Sequence, residues 1–402
     1  MKDGKSLDAV IQDKKIITCV GSGGVGKTTV SATLAFHCAM AGKKTLALTI
    51  DPARRLANSL GLSSLGNEET LIPREKFEQA GLSPKGSLYA MMLDTKTAFD
   101  ELVRKVAPNG DVAKKILENS FYQNLSTAMA GSHEYLAMEK LYDLYSRGSY
   151  DTIVLDTPPT RQALDFLEAP GRVSDFFDKD VLKWFLKPSF AAGRGGLKML
   201  NQTGAMVFRV IQRITGAEFM KDVSDFFLGF SDVFDDFKKE ADQVFEVLRG
   251  EEVVFLLVMS PSRMPIEEAR FFYDKLEAYR MPFGGFVINR LHPDFLSSDP
   301  GNGGAPGNMS VDRDLLKQRM KKEAQDRFGD LAPMLIKTLE NVQTLAEIDR
   351  ERIQEFVGSL SRPIPYWTVP LMDEDVYDMN GLMRMSRYLF EDLRAGIPGN
   401  CW

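Results

Sequence analysis

The sequence predicts an α/β fold: a mostly parallel central sheet flanked by helices, with an inserted helical subdomain. Three observations predict it. Short apolar runs alternate with helix-period segments, the pattern of β–α–β units. A Gly-rich turn, Gly21-Ser-Gly-Gly-Val-Gly-Lys-Thr-Thr29, separates a β-branched run from an Ala- and Leu-rich segment. Two long stretches of helical pattern then interrupt the alternation of strands.

The elements follow in order. Ile16–Val20 is apolar on both parities and reads as a buried strand. Ser31–Met40 reads as the helix after the turn. Thr45–Ile50 and Leu88–Leu93 are the next strands, and helical sequence that includes Ser132–Tyr145 precedes a fourth, Thr152–Leu155. From Val173 to Leu248 the pattern is helical again and rich in phenylalanine. Residues 95–148 and 172–250 are therefore expected to form a helical subdomain within one domain spanning residues 1–402. Val253–Met259, Gly285–Ile288 and Tyr366–Val369 complete the strands. Ser297 to Asn308 is Gly-, Pro- and Asn-rich, so residues 295–310 are expected to be a mobile loop.

Gly21, Gly26, Lys27 and Thr28 fit the phosphate-loop spacing G-x-x-x-x-G-K-[ST], and the strand–turn–helix context matches. Glycines let backbone N–H groups close around an anion, and the following helix aims its positive end there. Lys27 would reach the terminal phosphates, and Thr28 would offer its hydroxyl to Mg²⁺. Asp51 and Asp156 each follow an apolar strand, so both emerge at the carboxyl ends, where open α/β sheets bind ligands. Asp156 reads as the carboxylate that manages Mg²⁺. Asp51 reads as the group that orients the attacking water and also serves the metal.

Composition bounds the rest. A net charge of −6 over 402 residues argues against a general nucleic-acid binder. Cys19, Cys38 and Cys401 are the only cysteines and form no C-x-x-C pair. The first residues lack the apolar core of a signal peptide, and no run approaches a membrane span. A cytoplasmic protein, peripheral to the membrane at most, is expected.

GSGGVGKTT, DPARRLANSLG and DTPPTRQALDFLEAP resemble the deviant phosphate loop (a deviant Walker A), switch I and switch II of the ArsA/Get3 ATPases. The resemblance runs over nearly the whole chain and implies a P-loop NTPase fold. It implies that Gly23, Gly24, Val25, Gly26, Lys27, Thr28 and Thr29 bind phosphate and Mg²⁺, that Asp51 activates water, and that Asp156 and Thr157 belong to switch II. Asn289 matches the family's adenine-contacting asparagine, and Val369-Pro370-Leu371 matches the loop over the adenine. Ile288-Asn-Arg-Leu-His292 is not the N-K-x-D guanine signature, so ATP is expected over GTP.

Departures from that family are informative. Its loop reads GKGGVGKT, and the early lysine reaches the phosphates of a dimer partner. Here Ser22 holds that position. The chain looks most like a branch of ArsA-like ATPases built from two unlike subunits, so a heterodimer with a GKGG-type paralogue is expected. The alternative is a homodimer in which Arg54 or Arg55 supplies the charge. The zinc-clamping C-x-x-C of fungal and animal Get3 is missing between Arg290 and Asn308, and His292 stands alone, so no zinc is expected.

Val181 to Ala217 carries Lys183, Lys187, Arg194, Lys198, Arg209 and Arg213 among large apolar residues, with no Asp or Glu. Acidic residues from Asp222 to Glu240 follow. This segment reads either as a surface for a hydrophobic or membrane-protein client or as an apolar stripe packed on its own domain. The expected activity is Mg²⁺-dependent ATP hydrolysis that drives nucleotide-gated change. The rivals are a MinD/ParA-like positioning ATPase, weakened by a tail broken at Gly396, Pro398 and Gly399, and an ATP-bound regulatory subunit.

Overall fold

The structure, a computed structural model, describes residues 5–51, 55–107, 109–119, 122–123, 132–158, 243–294 and 313–391. The predicted loop 295–310, Arg54, the charged segments between Val181 and Glu240, and the C-terminal tail lie outside the described residues.

The described residues fall into two compact units. One holds those up to Met92, those from Gly148 to 158 and those from Arg249 onward; the other holds those between 93 and 147 and between 243 and 248. In the first, eight strands form one sheet: β1 (Ile16–Gly21), β2 (Lys44–Thr49), β3 (Thr70–Leu71), β4 (Ser87–Met92), β5 (Thr152–Asp156), β6 (Val253–Met259), β7 (Phe283–Leu291) and β8 (Tyr366–Pro370). Their order is β3-β4-β2-β5-β1-β6-β7-β8. All pairs are parallel except β3–β4.

The physical cause of the sheet is plain in β1, β5 and β6, where every residue is buried. A strand covered on both faces must be apolar on both parities, and these runs are. The seven strands read from sequence are present, β6 with both ends as expected and no end displaced by more than three residues. β7 grows most, from Gly285–Ile288 to Phe283–Leu291. Phe283 and Phe286 stack edge-on, 5.0 Å apart, and Phe286 meets Phe356 at the same distance, so packing extends the strand past its apolar centre. The two-residue β3 was not anticipated. Both of its residues are exposed, so it carries no burial pattern to read.

The helices of this unit are α1 (Leu7–Ile11), α2 (Lys27–Met40), α3 (Arg55–Ser59), α4 (Arg74–Gln79), α8 (Arg263–Ala278), α9 (Arg313–Phe328), α10 (Ala332–Gly358) and α11 (Met379–Phe390). In the other unit α5 is Thr95–Val106, α6 Gly110–Leu117 and α7 Ser132–Ser146. α2 is buried nearly all round, packed on β2 and β5 and against α11. It begins at Lys27, four residues earlier than the apolar pattern suggests. Gly26, in the left-handed region at φ 92°, caps it without a side-chain hydrogen bond. In the helical unit the fully buried Tyr122 donates its hydroxyl to Asp100 at 2.7 Å. There α5 is tied to α7 by Lys105–Glu139 at 2.9 Å and Lys140–Glu101 at 3.3 Å.

Gly21 shows how tightly the sheet presses on the turn above it. It pairs with Val258 of β6, and a Cβ here would lie 2.0 Å from the Val258 carbonyl oxygen. Backbone cannot swing aside as a side-chain tip can. Gly21→Ala is therefore expected to cost about 1–3 kcal/mol, read as a lower urea midpoint at unchanged slope.

Candidate functional site

The site gathers at the carboxyl ends of β1, β5, β2 and β7. Gly23 and Gly24 form the exposed crest of the turn between β1 and α2, while Val25 is buried beneath it. Gly24 and Gly26 both have positive φ, 78° and 92°. At Gly26 the requirement is doubled, because a Cβ would stand 2.3 Å from the Asn289 side-chain nitrogen. That nitrogen donates to the Val25 carbonyl at 2.9 Å. Asn289 on β7 therefore braces the phosphate loop directly, with its amide side chain buried in the same place.

Lys27 and Thr28 open α2, and both are buried; Thr29 is half-buried. The Lys27 ammonium donates to the Ser22 carbonyl at 2.9 Å. Burial holds the lysine pKa below its ordinary value, and the negative charges of Asp156 and Asp51 oppose that shift. Asp156, only 1% exposed, ends β5. Burial pushes its carboxyl up to about 6, although the Thr28 and Thr49 hydroxyls and the Lys27 ammonium favour the ionised form. Ser31 bonds the Lys27 carbonyl at 3.0 Å and lies 3.4 Å from one Asp156 oxygen. Thr157, the next residue, donates its hydroxyl to the Cys19 carbonyl at 2.8 Å and so pins the start of the segment after β5 to β1.

Asp51 stands two residues beyond the end of β2, with its side chain 22% exposed. Its carboxylate lies 3.8 Å from Arg55, whose side chain is 63% exposed. Pro370 ends β8, and the Leu371 amide donates to the Leu291 carbonyl at 2.7 Å. Pro370 and Leu371 thus sit beside the end of the Asn289 strand, with Leu371 47% exposed. The structure brings Lys27, Thr28, Asp51, Asp156 and Asn289 to one end of the sheet. It adds Ser31 and Thr49, which sequence reading missed. Ser31 carried a signal, four residues after Lys27 on the same helix; Thr49 carried none, because its partner is set by strand register.

The donor set fits a magnesium–nucleotide complex. Mg²⁺ takes hard oxygen ligands and is usually held by one or two carboxylates plus phosphates, and the buried Thr28 hydroxyl and Asp156 carboxylate supply that chemistry. Gly23 and Gly24 carry no side chain over the crest, and the helix after them starts with no side-chain cap on its N–H groups, as an anion cradle requires. Among the described residues no group of three or more His, Cys, Asp and Glu is placed to hold a metal. His292 is tied to Asp349, whose single oxygen accepts from its amide at 3.0 Å and lies 2.8 Å from its Nδ1. Cys19 and Cys38 are free and buried. Ser22 is buried, and its hydroxyl lacks a hydrogen-bond partner among the described residues.

The model of a family described as anion-transporting ATPase matches residues 14–350. The protein named "Putative arsenical pump-driving ATPase 1" of Aquifex aeolicus is 22% identical over 396 residues, covering 94% of this chain and 79% of its own length. A protein of Chlorobaculum tepidum with a similar name is 25% identical over 285 residues, which cover 69% of this chain but 61% of that protein. The "ATPase GET3" of Malassezia globosa is 29% identical over 168 residues, 41% of this chain and 46% of that one.

The raised Asp156 pKa has a consequence for stability. Its carboxyl moves from 3.8 to about 6 on folding, so the protonated form is favoured by the fold. That contribution is complete below the unfolded value and is lost as pH rises through about 6. Without metal or nucleotide, Asp156→Asn is expected to be more stable than the wild type at pH 8, by about 1–3 kcal/mol. The advantage should vanish below about pH 4. Urea unfolding at the two pH values checks it.

Proposed function

This chain belongs to the anion-transporting ATPase family, and on that premise we propose that it hydrolyses Mg²⁺-bound ATP at the site above, as one half of a nucleotide-gated dimer. The observation that carries the reading is the burial of Lys27 and Asp156 together at the sheet's carboxyl end, under a crest of bare glycines. Two opposite charges are costly to desolvate, and a site that must grip a triphosphate and its cation gives a reason to keep both.

The roles are those that the family resemblance implies, and the placement of the residues supports them. Gly23, Gly24, Val25 and Gly26 present backbone N–H groups to the phosphates. Lys27 leaves the Ser22 carbonyl for the terminal phosphates, and Thr28, Thr29 and Asp156 hold the side of the complex where the cation sits. Mg²⁺, when bound, withdraws charge from the phosphate oxygens. Asp51, partly exposed beyond β2, orients the attacking water or accepts its proton. Asn289 reads the adenine edge while it props the phosphate loop, with Pro370 and Leu371 against the base.

Hydrolysis would remove the γ-phosphate contacts that hold the segments after Asp51 and Asp156, and both segments would then relax. The expected output is mechanical: handling or regulating a hydrophobic or membrane partner through the inserted helical subdomain at residues 95–148 and 172–250. The name of the Aquifex relative, a pump-driving ATPase, supports a reading of this kind. Among the described residues no helix is long and apolar enough to cross a membrane, so any membrane contact from these elements would be peripheral.

Ser22 favours an unlike partner. With a hydroxyl where the family carries its lysine, two copies of this chain have no such lysine to exchange. Arg55 is placed beside Asp51 of its own chain instead, 3.8 Å away. A GKGG-type paralogue would supply the missing cation.

Two measurements test this. Lys27→Ala is expected to lower steady-state ATP hydrolysis by about a hundredfold or more, since a pre-positioned charge on the transferred phosphoryl is lost; wild-type turnover in the variant would rule the site out. Adding a purified GKGG-type paralogue is expected to raise turnover at least about tenfold, in the manner of a charge supplied in trans. An unchanged rate would remove the unlike-dimer reading and leave the site intact.

A further inference from the structure

Where β2 ends, one buried hydroxyl makes two bonds that join the two acidic residues of the site. Thr49 is the last residue of β2, lies in register with Asp156 of β5, and is 1% exposed. Its hydroxyl donates to Asp156 Oδ2 at 3.0 Å. The same oxygen accepts from the backbone N–H of Asp51 at 3.2 Å. A threonine hydroxyl has one hydrogen and two lone pairs. With the hydrogen committed to Asp156 and a lone pair to Asp51, its rotation is fixed.

The arrangement answers a problem set by the sheet. The Ile50 amide still bonds across to the Asp156 carbonyl at 3.4 Å, as the last rung between β2 and β5. Asp51 lies one residue further, past the end of β2. A buried amide needs an acceptor, and Thr49 provides one from two residues back. The acceptor is anchored to Asp156, so the position of the Asp51 backbone is tied to the buried carboxylate. Asp156 also has Ser31 3.4 Å from Oδ1 and the Thr28 hydroxyl as a further donor, while Thr49 donates to Oδ2 at 3.0 Å.

We propose that Thr49 is a positioning residue for ATP hydrolysis: its hydroxyl sets the Asp51 backbone relative to the Asp156 carboxylate, so that the group acting on water and the group beside the cation keep one geometry. This rests on the assignment of Asp51 and Asp156 as the hydrolytic pair. Among the described residues the Thr49 hydroxyl bonds Asp156 and Asp51 and not the phosphate loop or Asn289, so nucleotide grip and hydrolysis should separate when it is changed. A threonine kept only for strand packing would tolerate the isosteric valine.

The test uses Thr49→Val and Thr49→Ser in the full chain, in whichever assembly turns over fastest, with Asp51→Asn alongside. Thr49→Val is expected to lower kcat by about ten- to a hundredfold, the usual cost of removing a group that orients a site residue. It should also raise the Mg²⁺ concentration giving half-maximal rate, while ADP affinity measured by calorimetry in EDTA stays as in the wild type. Thr49→Ser restores the rate. Where valine lowers the unfolding midpoint enough to empty the folded state, Thr49→Ala takes its place. The proposal is overturned if the valine chain turns over normally, if serine is as slow as valine, or if ADP affinity falls in step with rate. If Asp51→Asn itself hydrolyses ATP normally, the underlying assignment fails instead; if it is inactive while Thr49→Val is not, only the role of Thr49 falls.

Discussion

A desolvated carboxylate beside a desolvated ammonium is the constraint around which this site is built. Asp156 and Lys27 are both buried at the carboxyl ends of β5 and β1, and each shifts the other's ionisation. Left to itself such a pair is expensive, because the attraction between partners rarely repays full removal from water. The surrounding polar groups reduce the cost. Thr49 donates to Asp156, Ser22 offers its carbonyl to Lys27, and Ser31 lies against both residues. Even so the carboxyl remains raised to about 6. A carboxylate left under-compensated has free energy to gain from a cation.

The sheet makes this placement reproducible. β5 lies between β1 and β2, so the last residue of β5 stands between the end of the strand that leads into the phosphate loop and the end of the strand that leads to Asp51. Parallel pairing puts all three carboxyl ends at one edge. The apolar runs of β1, β5 and β6 are buried along their whole length, so hydrophobic burial holds these strands side by side. The precision of the polar contacts thus derives from hydrophobic burial elsewhere.

A second link joins the far side of the sheet to the same loop. Asn289 comes from β7, two strands from β1, yet its side-chain nitrogen bonds Val25 and fills the space a Cβ on Gly26 would need. Asn289 and the Gly-rich turn are therefore one packed unit. Gly26 is required twice, by its left-handed backbone and by its neighbour. The segment after β7 is in turn held to α10 through the His292–Asp349 contact and the Asp294–Arg350 ion pair.

What the sequence determined by itself was local and periodic. The apolar runs announced seven strands, the spacing from Gly21 to Thr28 announced the phosphate loop, and Asp51 and Asp156 stood out because each follows a strand. These signals need only neighbours along the chain. β3 escaped because two exposed residues carry no period. Thr49 escaped for a deeper reason: a threonine in a strand is ordinary, and only the register of β2 on β5 brings its hydroxyl to Asp156. The brace between Asn289 and Val25 spans 264 residues. Tertiary structure alone decided these contacts, because a hydrogen bond depends on distance and direction, and residues far apart in the chain acquire both only when packing fixes their strands.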